Sequence, residues 1–218
     1  QNYQLSARGG TNMLNYFLSG NYTKTDGLVK KTDYTLYSVR ANFEVKANDK
    51  LKLGLNINPS YSITNDPGVE GKDNILHQLV SASPVQLFDA AHVNVFTYDR
   101  YPWSVSNNSP VAKLLYFIGT TRRFRTITSL YGDYEIVKDF HFKTTVNLDN
   151  TDNSSKSYQP NGVTVSSLST RLASPNAGTN GSLTQYRRQT FVNENTFNYN
   201  HNFGKAHDVS LLAGFSYN

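Results

Sequence analysis

The stretch LKLGLNINPSYSIT, residues 51–64, decides how this chain folds. Its odd positions, Leu51, Leu53, Leu55, Ile57, Pro59, Tyr61 and Ile63, are all apolar or aromatic. Its even positions, Lys52, Gly54, Asn56, Asn58, Ser60, Ser62 and Thr64, are polar, charged or glycine. Successive side chains of a strand point to opposite faces, so the two sets line an apolar and a polar face. At about 3.3 Å per residue the stretch spans roughly 46 Å, whereas soluble strands average only ~5–6 residues. Inclined by about 45°, it rises roughly 33 Å, enough to cross an apolar band of about 25 Å. Pro59 lacks an N–H, which predicts a bulge or a local break in the ladder there.

The same period recurs on both sides of this stretch. Tyr3, Leu5 and Ala7 alternate with polar residues, as do Leu14, Tyr16, Leu18, Gly20 and Tyr22, and then Tyr37, Val39, Ala41, Phe43 and Val45. The turn KANDK (46–50) joins the last of these to residues 51–64 as an antiparallel hairpin. Further on, 122–136 reads as a less regular strand, with Ile127 and Tyr131 out of phase with Phe124, Leu130, Tyr134 and Ile136. Phe140 to Leu148 alternates cleanly, 186–200 forms a penultimate strand, and Val209 to Tyr217 a last one. About eight strands are expected.

The connections are sorted. Short ones (9–12, 46–50, 137–139, 201–206) alternate with longer ones (24–32, 65–121, 151–185). One end of the sheet therefore carries tight turns and the other long loops. That is the pattern of a transmembrane β-barrel with short periplasmic turns and long extracellular loops. In such a wall the apolar set meets lipid and the polar set a wet lumen. Tyr22, Tyr34, Tyr37, Tyr61, Phe140 and Tyr217 lie near strand ends and are expected in the interfacial aromatic girdles. A soluble antiparallel sheet with one wet face gives the same alternation in any single strand, but does not explain the sorted loops.

Composition agrees with a wall. Of 218 residues only 38% are hydrophobic, yet 15 Tyr and 12 Phe are present, so the chain is poor in aliphatic core residues and rich in amphipathic rings. The absence of cysteine excludes disulfides and thiolate metal sites. The net charge of +5 is scattered, with Arg122, Arg123 and Arg125 the densest basic cluster, and no nucleic-acid-binding module is recognisable. No run approaches the ~18–20 apolar residues of a membrane helix. The opening QNYQLSARGG has neither the basic nor the apolar region of a signal peptide and reads as mid-strand, so the chain is expected to be a piece of a longer barrel.

Several segments resemble a known family. NYFLSGNYTKTDGLVKKTDYTLYSVRANFEVKANDKLKLGLNINPSYS (15–62), LVSASPVQLFD (79–89), YGDYEIVKDFHFKTTVNLD (131–149) and ENTFNYNHNFGKAHDVSLLAGFSY (194–217) are similar, in order, to the barrel of SusC/RagA-type TonB-linked outer-membrane transporters of Bacteroidetes. The resemblance implies a 22-strand-type barrel closed by a plug, energised through the TonB complex, importing glycans or peptides with a SusD-like surface lipoprotein. Residues 1–218 would be a partial barrel domain with long outer loops at 65–121 and 151–185, lacking the plug and its TonB-contacting segment. Two alternatives from the same residues are an autonomous eight-stranded outer-membrane barrel serving as adhesin or anchor, and a soluble carbohydrate-binding β-domain.

Binding chemistry is expected in the 65–121 loop, because long structured loops are usually functional. Phe96, Tyr98, Asp99, Arg100, Tyr101 and Trp103 combine rings that stack on sugars with groups that hydrogen-bond hydroxyls. Packing of the loop on itself or on a partner is the alternative use of the same rings. Residues 72–83 read as a short helix with Ile75, Leu76, Leu79 and Val80 on one face. No catalytic motif is present, and the chain is not expected to be an enzyme or to need a cofactor. His201 and His207 flank one turn without a third ligand at metal spacing, and NDPGVEGKDN (65–74) does not match a calcium loop. The arginines 122, 123 and 125 are candidates for lipid phosphates at the outer rim, or equally for the lumen or a plug contact.

Overall fold

The computed structural model describes residues 1–67, 75, 80, 114, 116–160, 179–204 and 207–218. They form one antiparallel sheet of eight strands in chain order: β1 (Asn2–Gly10), β2 (Leu14–Asp26), β3 (Asp33–Lys46), β4 (Leu51–Asn65), β5 (Ile118–Val137), β6 (Phe140–Gln159), β7 (Asn180–Phe203) and β8 (His207–Tyr217). The expected all-β antiparallel wall is what the chain adopts. β1 and β8 pair only with β2 and β7 among the described residues, so the sheet does not close on itself.

Each short turn has a local cause. Thr11 accepts from the Leu14 amide through its hydroxyl at 3.1 Å, and Asn48 Oδ1 accepts from the amides of Lys50 and Leu51 at 2.9 Å. Asp139 and Gly204 take left-handed φ values of 69° and 72°, which lets the chain reverse within a few residues. The register shift that accompanies the Asp139 turn lies between Glu135 and Val137 and makes a small bulge.

Pairing assigns every side chain to a face. The odd set of β4 is opposite Phe43, Val45 and Tyr37 on one side and Leu130, Phe124 and Tyr134 on the other. One row runs Tyr3, Tyr22, Tyr37, Tyr61, Phe124 across β1 to β5. The ring pairs Tyr3–Tyr22 and Tyr22–Tyr37 stand 6.2 and 5.1 Å apart. Nearer the short turns Phe140, Phe142, Phe197 and Tyr199 form a second cluster, with Phe142–Phe197 at 4.8 Å. Aromatic side chains thus gather in two clusters on the apolar face. Tyr34 is a correction to the expected girdle: it pairs with Thr64 and belongs to the polar face, by the parity of β3.

The row also measures how the strands lean. It continues through Asp152 and Arg187, yet β2 runs eight residues from Tyr22 to its turn at Leu14, while β7 runs sixteen from Arg187 to Phe203. Eight residues at about 3.3 Å, set against five or six strand spacings of about 4.8 Å, give an inclination of roughly 45° if the turns lie level. Transmembrane barrels have tilts of about 35–45°.

The break predicted at Pro59 is present, and the bulge is not. Ser38–Ser60 and Ala41–Ile57 pair in unshifted register, but the two pairs between them are missing on the β3 side, while Pro59 pairs with Thr126 on the β5 side. One absent donor, the Pro59 N–H that would have met Val39, accounts for both missing pairs. Arg40 Nε donates to Asn58 Oδ1 at 3.2 Å across the gap.

Other boundaries differ from expectation. The loop expected at 151–185 is shorter: β6 continues through TDNSSKSYQ to Gln159, and β7 begins at Asn180. β5 likewise starts at Ile118 rather than 122. These ends carry little alternation because, apart from Ile118, Tyr158 and Leu183, their residues are polar or glycine. They are held by the backbone ladder and by hydroxyl pairs such as Thr121–Ser155 at 3.1 Å and Ser157–Ser182 at 2.7 Å. In the 72–83 segment Ile75 and Val80 are helical, but Ile75 is buried and Val80 exposed. Leu76 and Leu79 lie outside the described residues, and the two described members of the expected face differ in burial.

Candidate functional site

The polar face of the sheet holds two clusters. The first lies toward the short turns. Glu44, Gly54 and Tyr131 share one row across β3, β4 and β5. Tyr131 lies flat over Gly54 and donates its hydroxyl to Glu44 Oε2 at 2.8 Å, crossing a whole strand. This needs glycine at 54, since a Cβ there would fall inside the Tyr131 ring. Lys143 stands 4.8 Å over the same ring, a cation–π contact. Beside it His141 Nδ1 is 2.9 Å from Asp133 Oδ1, and a carboxylate only accepts, so Nδ1 carries the proton. A concavity of about 630 Å³ opens between Glu44, Tyr131, Arg8, Phe17, Asn42 and Asn56.

The second cluster lies toward the long loops. Arg125 makes a two-pronged pair with Asp149, Nε to Oδ1 at 3.0 Å and Nη2 to Oδ2 at 2.7 Å. Thr151 separates Arg125 from Arg188 in one row, and the next row holds Arg123, Asn153 and Tyr186. Arg123 and Arg188 have no ion pair among the described residues. Three guanidinium groups thus face one carboxylate, and the patch keeps net positive charge. Fork-shaped donors beside amide, hydroxyl and phenol groups can hold a carboxylate or another anion, with a ring to stack on.

The sequence-derived candidates divide. Phe96, Tyr98, Asp99, Arg100, Tyr101 and Trp103 lie outside the described residues. The arginine cluster is split by strand parity: Arg123 and Arg125 point to the polar face, while Arg122 pairs with Ile63 on the apolar side. His201 lies 2.8 Å from Asp139 Oδ2 and between Tyr199 and Phe203, at ring distances of 6.0 and 4.4 Å. Among the described residues no three His, Cys, Asp or Glu side chains come together as metal ligands. Arg188 and the reach of Tyr131 were missed. The out-of-phase position of Tyr131 was the available signal, because it put a large ring on the polar side of its strand.

No family model matches the sequence. It is 29% identical over 216 residues to TonB-dependent receptor P26 of Formosa agariphila, covering 99% of this chain and 21% of that protein. It is 28% identical over 225 residues to TonB-dependent receptor P3 of the same organism, with the same coverage. The chain thus spans about a fifth of the curated relatives it matches. Among solved structures, the RagAB peptide importer in its open-open state superposes with a TM-score of 0.74 at 19% identity, over 99% of this chain and 23% of that one. The RagAB peptide transporter superposes at 0.72 and 17% identity, over 99% and 24%. The resemblance read from the sequence therefore extends through nearly the whole chain, and the sheet has the fold of part of such a transporter.

Proposed function

We propose that this chain is a section of the wall of a TonB-dependent outer-membrane transporter, with its apolar face in lipid and its polar face lining the lumen. One observation supports this above others: the sheet has no apolar core. Among the described residues the buried apolar side chains are Ala41, Pro67 and Ile75, of which only Ala41 lies in the sheet, whereas Leu130, Leu211 and Phe215 are 52%, 61% and 62% exposed. A soluble sandwich would cover that face with a second layer. A membrane covers it with acyl chains.

In this reading the transported substrate is a glycan or a peptide, taken up with a SusD-like surface lipoprotein and released by a plug driven through TonB. With a tilt near 45°, Arg123, Arg125 and Arg188 stand roughly 28–35 Å above the short turns, at the outer mouth of the lumen. There they attract anionic groups of an incoming substrate. Phe96, Tyr98, Asp99, Arg100, Tyr101 and Trp103, which lie outside the described residues, supply stacking and hydrogen-bonding groups by their chemistry.

The test uses the full-length protein in its own cells. It should fractionate with the outer membrane, migrate faster on gels unheated than boiled, and co-purify with a surface lipoprotein. Exchange of Arg123 and Arg188 for Gln should lower uptake of carboxylate-bearing oligomers severalfold while leaving neutral ones unchanged. A soluble monomer, or a double variant that loses both substrates equally, would sink the respective half of the proposal.

A further inference from the structure

The apolar face is not uniform. Below the row of tyrosines a groove of about 600 Å³ runs past Tyr3, Leu5, Tyr37, Val39 and Pro59. It is open because Gly20, at its centre, presents no side chain and nothing stands within 4 Å of where a Cβ would be. Above the row a second cleft of about 520 Å³ lies between Arg122 and Arg187, with Asp152, Ser154 and Gln185. Tyr61 and Phe124 line both, so the two meet along one ridge of rings.

We propose that this track binds a phosphate-bearing membrane lipid, an acyl chain lying in the groove and the phosphate between Arg122 and Arg187. Resting on the outer-membrane reading, the inference assigns a lipid of the outer leaflet to one place on the wall.

The chemistry divides at the ridge. The lower groove offers rings and aliphatic groups and no charge, which suits a hydrocarbon chain. The upper cleft offers two guanidinium groups. Arg122 has no ion pair among the described residues. Arg187 donates only Nε to Asp152, which leaves its terminal nitrogens available. Asp152 removes part of the positive charge, so Arg122 supplies the net attraction and Arg187 the second set of donors. Level also fits: Arg122 stands roughly 35 Å above the short turns, beyond an apolar band of about 25 Å and within the ~40–45 Å that includes headgroups. A free phosphate would have no use for the groove, and a neutral lipid none for the cleft.

The test uses the full-length protein purified in dodecyl maltoside, with bound lipid counted by native mass spectrometry. The probes are diphosphorylated lipid A, its dephosphorylated form and inorganic phosphate. Wild type should hold the phosphorylated lipid at least roughly tenfold better than the dephosphorylated one, the scale of a charge-assisted pair. R122Q/R187Q should lose that preference, and Gly20→Leu, which fills the groove, should weaken both lipids alike. Equal binding of the two lipids overturns the proposal, as does an unchanged R122Q/R187Q. Inorganic phosphate that competes fully with the lipid would mean an ion site alone, and overturns it too. Heat-modifiable migration is followed for every variant. Its loss in wild type would remove the outer-membrane reading itself, a result distinct from lost lipid preference in an intact barrel.

Discussion

Gly54 shows how a single residue shapes the inner wall. It leaves a slot in β4 that the Tyr131 ring fills on its way to Glu44. A side chain at 54 must expel that ring, break the hydrogen bond and free the Lys143 contact. Gly54→Val in the full-length protein should therefore cost about 1–3 kcal/mol, the range of overpacking. Tyr131→Phe, which loses only the hydroxyl, should cost about 1 kcal/mol. The two sites share one contact, so in a Tyr131→Ala background Gly54→Val should be nearly neutral. A double-mutant cycle on urea unfolding checks this; additive costs would show that the ring does not occupy the slot. Gly9 repeats the device on the other face, where Tyr16 lies over it. Neither arrangement is visible in sequence, since both depend on register between strands.

Among the strands, β4 carries a ladder that loses two pairs without any shift of register. Both absent pairs trace to the Pro59 nitrogen, so restoring a donor should restore both. In Pro59→Ala the new amide should exchange with deuterium as slowly as its neighbours, and stability should change by less than about 1.5 kcal/mol, the net worth of one such bond. Fast exchange at that amide would mean that the β3 and β4 backbones diverge there for another reason. The ends of β5, β6 and β7 teach the opposite lesson. Their residues are mostly Thr, Ser, Asn and other polar types, which look like loop, yet they extend the sheet by several residues past its apolar band. Alternation reports a boundary between oil and water. Where both faces are wet the strand persists without the signal.

Over the whole molecule, the two faces should answer to opposite solvents. Leu130 and Ser129 are neighbours on β5, pointing to the apolar and polar sides respectively. Leu130 lies roughly 16 Å above the short turn, well inside the apolar band. Leu130→Arg should destabilise the full-length barrel by about 2–4 kcal/mol, whereas Ser129→Arg should cost little. Folding titrations into lipid vesicles read the difference, and equal costs would contradict a lipid-facing side. The sequence by itself determined the strand count, the sorting of turns and loops, the parity of most side chains and the break at Pro59. It could do so because period two and missing donors are local properties of a chain. Only the tertiary structure decided where polar strands end, that Arg188 joins Arg123 and Arg125, and that Tyr131 spans Gly54. These depend on register, which joins residues up to 87 positions apart and has no trace in any one segment. Thus LKLGLNINPSYSIT announced two faces, and the strands beside it settled what each face holds.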